Sequence, residues 1–262
     1  ADRYDRVTDF SSNIAVVPLS AKFGEGIPDL LLMLIGLAQR FLEKELASEE
    51  GPGEGTILEV KEEKGLGTTL DAIIYKGTLS KGDTIVFGTP MKPGITKIKA
   101  VLKPKPLDEI RDPQDRFDSV RSVTAAAGVK IVAADVGGAV AGAPVRVAKG
   151  NASELVEEIA KESQPHVEVQ EEGVLLKADA IGSLEGLAYE CKEADIPVRF
   201  ARLGALSRRD VIDVATSGNP LHEAVLAFNV EILPDAQSAL TDHPEVKLLQ
   251  SDIIYRLIED YG

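Results

Sequence analysis

The chain has 262 residues, of which 44% are hydrophobic and 27% charged, and its formal net charge is −14. This length and apolar content suffice for two or three domains with buried cores. The longest apolar run, residues 30–37, is about half of the roughly 20 residues that a membrane-spanning helix needs, and no secretory leader precedes it. The sequence therefore excludes a membrane protein and predicts a soluble, cytoplasmic one.

Cysteine and histidine usage indicates neither a metal centre nor a nucleophile. Cys191 is the only cysteine, so no internal disulfide can form, and the three histidines lack a helical metal-ligand spacing. Cys191 falls beside Leu187 and Ala188 on the apolar side of a predicted helix, which favours a small core residue over a catalytic thiol. We expect no catalytic residue and no metal site in this chain.

Charge is unevenly distributed along the chain. Residues 51–150 carry a net +3, whereas residues 1–50 carry −4, residues 151–173 carry −6 and residues 174–262 carry −7. Phosphate contacts need clustered cations, so lysines of the basic segment are candidates for RNA contact. A solvated strand face is the commoner explanation for such lysines and stays open. The candidates are Lys92, Lys97, Lys99, Lys103 and Lys105.

The first 50 residues predict the C-terminal end of an α/β domain. A strand over residues 14–19 is followed by a loop and then by a helix that runs to about Leu46, with Pro28 at its N1 position and Asp29 in its first turn. Apolar residues at i, i+3 and i+4 spacing predict one buried stripe along this helix. That stripe consists of Ile27, Leu30, Leu31, Leu34, Ala38, Phe41 and Leu42.

The next 100 residues have the pattern of an antiparallel β-barrel. Glycines and a proline in residues 51–55 indicate a domain boundary. Gly82 in the turn at residues 80–83, and Gly65 and Gly67 before the strand that follows them, permit positive φ angles. A long proline-containing loop is expected over residues 103–117. Strands are predicted over residues 56–62, 69–76, 84–87, 95–102, 128–136 and 145–148.

The last part of the chain alternates strands and helices. A connector over residues 151–173 begins at a variant capping box, Asn151 to Glu154. Beyond it, the alternation predicts a parallel four-stranded sheet covered by helices on both faces. The strands are expected at residues 174–181, 198–206, 225–232 and 246–250, and the helices at residues 184–194, 208–216, 236–240 and 253–261.

A second capping box, formed by Ser207 and Asp210, starts one of these helices. Arg208 and Arg209 in its first turn are further candidates for ribosomal RNA contact. A solvated helix start is the commoner explanation for such an arginine pair and stays open as well.

Three motifs resemble the translational GTPases. A strand, Ser20-Ala21-Lys22, a Gly-x-Gly loop and a helix resemble the last guanine-recognition motif of GTP-binding domains. Gly-x-Gly, a strand and Gly-x-Leu-x-x-Gly-Asp, within residues 65–83, resemble the second, barrel-shaped domain of that family. The stretch from Lys103 to Asp112, with residues 123–131, resembles archaeal and eukaryotic initiation factor five-B, a relative of bacterial initiation factor two.

The resemblance implies a fold and a domain order. It predicts an α/β plus β protein with the C-terminal part of the G domain at residues 1–50 and a translational-type β-barrel at residues 51–150. A helical connector at residues 151–173 and an α/β/α sandwich domain at residues 174–262 would follow. It also implies that the chain is a fragment, with a long helix and a further barrel beyond Gly262.

The resemblance also implies partners and cofactors. The parent would be a ribosome-dependent GTPase that uses GTP or GDP with Mg²⁺ and promotes ribosomal subunit joining and initiator tRNA placement. Its partners would be the ribosomal subunits and their RNA, other initiation factors and, through a missing C-terminal domain, the initiator tRNA. Ser20, Ala21 and Lys22 would lie at the guanine base, with the backbone N–H of Ala21 donating to the guanine O6.

The motifs that carry hydrolysis are missing from this sequence. It contains no Gly-x-x-x-x-Gly-Lys-Ser/Thr phosphate loop and no Asn-Lys-x-Asp motif for guanine specificity. We therefore expect no GTP hydrolysis and no bound cofactor for this chain alone, and a role in coupling nucleotide state to the tRNA-binding end.

Two alternatives stay open. Another translational GTPase, such as an elongation or selenocysteine factor, would normally follow its barrel with a second barrel, which the strand–helix alternation after Val174 disfavours. A non-enzymatic interaction scaffold would need no nucleotide at all.

Overall fold

The computed structural model describes residues 1–42, 50–105, 116–150 and 152–262. It divides into two compact units, Ala1–Glu49 and Glu50–Gly262. In the first unit, strand β1 (Asp2–Arg3) pairs in parallel with β2 (Ala15–Val16), and helix α1 follows (Ile27–Phe41). The predicted strand at residues 14–19 is thus reduced to two residues, and β1 was not predicted.

Helix α1 starts as predicted but does not bury its apolar stripe. Gly26 precedes it with a φ of 74°, and a Cβ there would lie 2.3 Å from the Pro18 carbonyl oxygen, so glycine is required. No residue of α1 is buried, and Leu31, Leu34 and Phe41 are more than half exposed. The predicted burial was therefore wrong for this structure, because two strands of two residues cannot cover the helix. The predicted extension to Leu46 falls partly on residues outside the described ones.

The second unit opens with an antiparallel barrel. Its strands are β3 (Glu54–Glu63), β4 (Gly67–Lys76), β5 (Thr78–Ser80), β6 (Thr84–Phe87), β7 (Gly94–Pro104), β8 (Phe117–Val120), β9 (Ser122–Thr124), β10 (Ala127–Ala133) and β11 (Pro144–Val147). The strand order is β10-β4-β3-β11-β6-β7-β8, and β10 also pairs with β7, which closes the barrel. The first and last strands, β3 and β11, are neighbours, with Thr56 opposite Pro144. A short pair, β5 and β9, lies outside that sheet.

Alternation along β4 builds one wall of the barrel core. Leu70, Ala72 and Ile74 are fully buried, whereas Ile73 and Tyr75 are exposed on the other side, as the period of two predicts. These inward residues join the buried side chains of β6, β7 and β10 in one apolar cluster. The strands β5, β8 and β9 were not predicted.

The glycine turns confirm the predicted backbone geometry. Gly65, Gly67 and Gly82 all have positive φ angles. In the turn that contains Gly82, the Asp83 carboxylate accepts a hydrogen bond of 2.8 Å from the Ser80 N–H.

The remaining residues form a connector helix and a three-layer α/β domain. The connector helix is α2 (Ala152–Glu162); the predicted cap at Asn151 lies outside the described residues. The elements of the α/β domain are β12 (Val174–Ala178), α3 (Ile181–Glu193), β13 (Val198–Leu203), α4 (Arg208–Ala215), β14 (Ala224–Phe228), α5 (Pro234–Asp242), β15 (Lys247–Ser251) and α6 (Ile254–Tyr261). The parallel sheet has the order β13-β12-β14-β15.

Helices cover both faces of this sheet. Leu184 of α3 and Leu257 of α6 pack on one face, and Val211 of α4 and Ala236 of α5 pack on the other. Every residue of the central strand β12 is buried. The predicted α/β plus β fold class, with an antiparallel barrel and a four-stranded parallel sheet, is confirmed. None of the described helices is long and apolar enough to span a membrane.

The barrel and the α/β domain pack directly on one another. Ala141 forms an isolated β-bridge with Ala180, and the Ile181 N–H donates to the Ala141 carbonyl oxygen at 3.2 Å. Ile181, the first residue of α3, belongs to the apolar cluster of the barrel. The two therefore form one compact unit in space, while the predicted boundaries at residues 150 and 173 stay a prediction.

Candidate functional site

The loop between β2 and α1 holds the predicted guanine-recognition residues. Its ends are fixed by two backbone hydrogen bonds, from the Ser20 N–H to the Glu25 carbonyl at 2.9 Å and from the Gly24 N–H to the Ser20 carbonyl at 2.8 Å. Ala21 and Lys22 are exposed, and no acceptor among the described residues takes the Ala21 N–H. That donor is therefore unpaired among the described residues, and the role of Ser20, Ala21 and Lys22 at a guanine base stays a prediction.

The lysines of β7 do not form a single row. Lys97 and Lys99 are exposed on the outer side of the barrel, on either side of the buried Ile98. The pairing of β7 with β10 then shifts by one residue, so Val101 also points inward. Lys103 shares the direction of Val101 and is exposed because it lies at the end of the strand. The basic surface is thus divided between the Lys97–Lys99 pair and the end of β7.

The other two lysine candidates differ in availability. Lys105 is mostly buried, and its Nζ lies 3.5 Å from the Asp118 carboxylate, so its charge is already compensated. Lys92 is exposed in the loop between β6 and β7, where the Thr89 hydroxyl donates to its carbonyl oxygen at 2.7 Å. Lys92 is accordingly the more available of the two for contact with RNA.

The predicted capping box at the start of α4 is confirmed. The Asp210 carboxylate accepts hydrogen bonds from the Ser207 N–H at 2.9 Å and from the Ser207 hydroxyl at 2.7 Å. Arg208 and Arg209 project from this first turn, and Arg209 is 83% exposed with Asp213 at 3.8 Å. The structure places both arginines on the α/β domain, separate from the lysines on the barrel strand β7.

Asp210 also anchors a buried ion cluster that the sequence analysis missed. Its carboxylate lies 2.8 Å from the Arg202 guanidinium and 3.2 Å from the Nζ of Lys177. Arg202 reaches on to Asp213 at 2.7 Å. Lys177 belongs to β12 and is only 4% exposed. A lysine in the middle of the apolar run Val-Leu-Leu-Lys-Ala was the signal that could have revealed it.

Burial disfavours the charged forms of both Lys177 and Asp210, but their neighbours compensate it to different extents. Burial, together with the nearby positive charge of Arg202, lowers the pKa of the Lys177 amine below its ordinary value although Asp210 acts to raise it. Burial also opposes ionisation of Asp210, but hydrogen bonds from Arg202 and Ser207 outweigh it and hold the carboxyl pKa below its ordinary value. The difference arises because Asp210 has several donors, whereas Lys177 has few acceptors. Hydrogen bonds therefore compensate the burial of the Asp210 charge, whereas burial of the Lys177 charge is compensated less.

Arg146 of β11 joins the barrel to the connector helix. Its Nη2 lies 2.9 and 2.8 Å from the two carboxylate oxygens of Glu162, and its Nη1 lies 3.2 Å from Glu158. Glu54 of β3 approaches its Nε at 3.5 Å. Burial opposes the charge of Arg146, but the bond to Glu162 and the neighbouring carboxylates raise its pKa. One barrel cation thus holds the last turn of α2.

The described residues offer no arrangement typical of an active site. No three metal-ligating side chains among them come close enough together to hold an ion. Cys191 is fully buried in the core of the α/β domain, and burial raises the pKa of its thiol to about 12. The prediction of a core cysteine is confirmed.

Comparisons with known proteins agree on one family. The family model for translation-initiation factor 2 matches residues 146–262. The probable translation initiation factor IF-2 of Methanocella arvoryzae is 52% identical over all of this chain and 44% of its own length. That of Methanocaldococcus jannaschii is 51% identical over all of this chain and 23% of its own length.

A solved structure extends the agreement to the fold. The crystal structure of GDP-bound aIF5B from Aeropyrum pernix superposes with a TM-score of 0.82 at 43% identity, covering 99% of this chain and 44% of that one. The chain thus spans less than half the length of these relatives. Because both the sequence and the fold match over essentially the whole chain, it belongs to the translation initiation factor IF-2 family, with archaeal aIF5B as a structural relative.

Proposed function

We propose that this chain is the part of a translation initiation GTPase that couples nucleotide state to the tRNA-binding end and contacts the ribosome. The observation that carries the proposal is the compact packing of the barrel on two neighbours. The Ala141–Ala180 bridge joins it to the α/β domain, and the Arg146–Glu162 ion pair joins it to the connector helix. Two domains that are packed together in this way would move as one body, so a shift of the barrel would also shift the α/β domain.

The proposed partners follow from the family. Relatives named as translation initiation factors support the ribosomal subunits, ribosomal RNA and other initiation factors as partners of the parent protein in the cytoplasm. The initiator tRNA would be held by a part of the parent beyond these residues. Promotion of subunit joining is the activity that we assign to the parent.

The proposed cofactor of the parent is GTP or GDP with Mg²⁺. The aIF5B relative is a GDP-bound protein, and the free N–H of Ala21, between Ser20 and Lys22, is a suitable donor for the guanine O6. The residues that bind the phosphates and Mg²⁺ would come from parts of the parent that this sequence lacks. This chain alone would contact the guanine base only through the loop that contains Ala21.

The coupling proposal can be tested in the full-length parent protein by light scattering of ribosomal subunit joining. Arg146→Met removes the ion pairs to α2 and loosens the joint, so joining with GTP should slow several-fold while GDP affinity is retained. The matched control is Glu157→Gln, which removes a charge from the exposed side of α2 without touching Arg146. Equal joining rates for Arg146→Met and the unmodified protein would contradict coupling through this joint.

The guanine proposal is tested by titrating the parent with fluorescent GDP. Ala21→Pro removes the N–H donor and should weaken GDP binding about tenfold, the loss expected for one hydrogen bond in a specific site, whereas Ala21→Ser keeps the donor and should bind normally. Thermal melting checks that both variants fold. Unchanged affinity in a folded Ala21→Pro protein would rule out this role of Ala21. No GDP binding by the unmodified parent would instead favour the interaction scaffold.

A further inference from the structure

A cavity lies where the barrel, the connector and the α/β domain meet. Its volume is about 440 Å³, within the range of small-molecule sites. One side is formed by the loop after β6, the second by the end of α2, and the third by β12, β13 and the start of α4. Its apolar lining is contributed by Pro90, Met91, Ala160, Pro165, Ala201 and Leu203.

Cationic side chains from three elements line the same cavity: Lys177 of β12, Arg202 of β13 and Arg209 of α4. Lys177 contributes a buried ammonium group whose recorded partners are the Leu203 carbonyl at 3.3 Å and Asp210 at 3.2 Å. An ammonium has three N–H donors, so one stays available. Arg209 adds an exposed guanidinium at the rim. Asp210 is shared between Lys177 and Arg202, and Asp213 faces both Arg202 and Arg209. These three cations therefore meet two carboxylates, which leaves the cavity wall with a net positive charge.

The start of α4 supplies backbone donors at this wall. The capping box uses the Ser207 N–H, but the N–H groups of Arg208 and Arg209 have no acceptor among the described residues. Unpaired N–H groups and the positive end of the helix dipole both favour an anion at such a terminus. The helix spans eight residues, Arg208–Ala215.

Ser163, just after α2, adds a polar residue to the lining of the cavity. It is 5% exposed, and its Oγ is packed towards Gly88 of the barrel without a hydrogen-bond partner among the described residues. Met91 lies across the opening and is 94% exposed, a position in which a flexible apolar side chain can fold over a ligand.

We propose that this cavity binds a small phosphate monoester with an apolar or planar body, of about the size of a nucleoside monophosphate. Lys177, Arg209 and the N–H groups at the start of α4 provide separate donors for the phosphate oxygens. Met91, Pro90 and Pro165 provide an apolar surface for the body. A phosphate suits this set better than a carboxylate because it offers three terminal oxygens rather than two. The proposal does not depend on guanine binding at the Ala21 loop.

The test is an NMR titration of the 262-residue chain with adenosine 5′-monophosphate as the probe and adenosine as its neutral analogue. The backbone amides of Ser163, Leu203 and Arg209 should shift saturably with the monophosphate and not with adenosine. Arg209→Ala should weaken binding about tenfold, the effect of losing one charge-assisted contact. Met91→Ala should weaken the monophosphate but leave inorganic phosphate unchanged.

The matched control is Lys192→Ala, which removes an exposed cation of α3 outside the cavity and should leave binding unchanged. Because Arg209, Met91 and Lys192 are exposed, none of these substitutions should affect folding. No saturable shift at about 10 mM monophosphate, or equal affinity for Arg209→Ala and the unmodified chain, would overturn the proposal. Shifts of the same amides by a single-stranded RNA oligonucleotide but not by the monophosphate would also overturn it, in favour of an RNA surface.

Discussion

Gly88 and Ser163 are in contact where the barrel meets the connector: a Cβ atom added to Gly88 would lie 2.1 Å from Ser163 Oγ and 2.6 Å from the Ala143 Cβ. The backbone of Gly88 is fixed on both sides, because its N–H donates to the Pro144 carbonyl and its own carbonyl accepts from Val140. Both neighbours are closely packed, since Ala143 is fully buried in the barrel and Ser163 is only 5% exposed. This position therefore tolerates no side chain.

Substitution Gly88→Ala should lower the free energy of unfolding by about 1–3 kcal/mol, the usual cost of overpacking a close contact. Urea unfolding followed by circular dichroism measures it. The control is Gly128→Ala, where an added Cβ has nothing within 4 Å and little change is expected. Adding Ser163→Ala to Gly88→Ala should recover part of the loss, since it removes the closer contact. Identical urea midpoints for Gly88→Ala and Gly128→Ala would contradict this account.

The ion cluster predicts unequal effects for its two buried partners. Asp210→Asn leaves Lys177 without its counter-charge and should cost about 3–5 kcal/mol. Lys177→Met should change stability by no more than about 1 kcal/mol, because Asp210 keeps Arg202 and Ser207 and the methionine fills similar space. Urea unfolding of both variants under one set of conditions gives the comparison. An equal loss of unfolding free energy in the two variants would show that the charges of Lys177 and Asp210 are compensated to the same extent.

The same cluster predicts a pH dependence. The folded-state pKa of Asp210 lies below its ordinary value, so its contribution to stability is present above the unfolded pKa of about 3.9 and is lost as the pH falls through the lower folded value. The difference in unfolding free energy between Asp210→Asn and the unmodified chain should therefore be constant near neutral pH and shrink below about pH 4. Guanidinium unfolding at several pH values tests this. A difference that stays constant into strong acid would contradict the lowered pKa.

Hydrogen exchange should detect how far the ion pairs between Arg146 and α2 stabilise that helix. Arg146→Met removes the bidentate pair to Glu162, and a hydrogen bond between charged groups is worth about 1.5–3 kcal/mol. Amides in the last turn of α2 should therefore exchange at least about tenfold faster, while those of β12 stay unchanged. Glu157→Gln serves as the control on the same helix. Unchanged protection of α2 in Arg146→Met would mean that apolar packing of Ile159 alone holds the helix.

Charge reversal on β7 tests ribosomal RNA contact. Replacing Lys97, Lys99 and Lys103 with glutamate in the parent should weaken binding to the small ribosomal subunit. It should also reduce the slope of log affinity against log salt by about one for each lost phosphate contact. A triple reversal at Lys161, Lys192 and Lys247, exposed lysines of the connector and the α/β domain, provides the matched change in net charge. An equal change in slope for both triple variants would indicate a general charge effect.

The features that could be predicted from the sequence are local ones. The apolar run of β12 and the capping box of Ser207 and Asp210 are set by neighbouring residues, and both are found as expected. The strands β5 and β9 have three residues each and pair with each other, and Thr78 of β5 also bridges to Pro52. A pattern of period two has too few repeats to be recognised over three residues, and such a pair depends on the folded barrel around it.

Burial and ion pairing could not be predicted because they depend on distant residues. The spacing of Leu31 and Leu34 correctly predicted a helix, but whether that side is covered depends on what lies against it. Lys177 carries a signal in the sequence, whereas its partners Arg202 and Asp210 come from two later elements. The guanine and RNA residues were chosen by resemblance and by charge, and they stay predictions.

The pairing of β3 with β11 has a consequence for how the chain folds as it is synthesised. These strands begin and end the barrel in sequence, and Thr56 cannot meet Pro144 until the ribosome has released nearly all of the segment between them. Until then the apolar sides of β3 and β4 have no closed core to enter, and such exposed strands are prone to aggregate. The core of the barrel can therefore close only late in the synthesis of this segment, once Pro144 has been made.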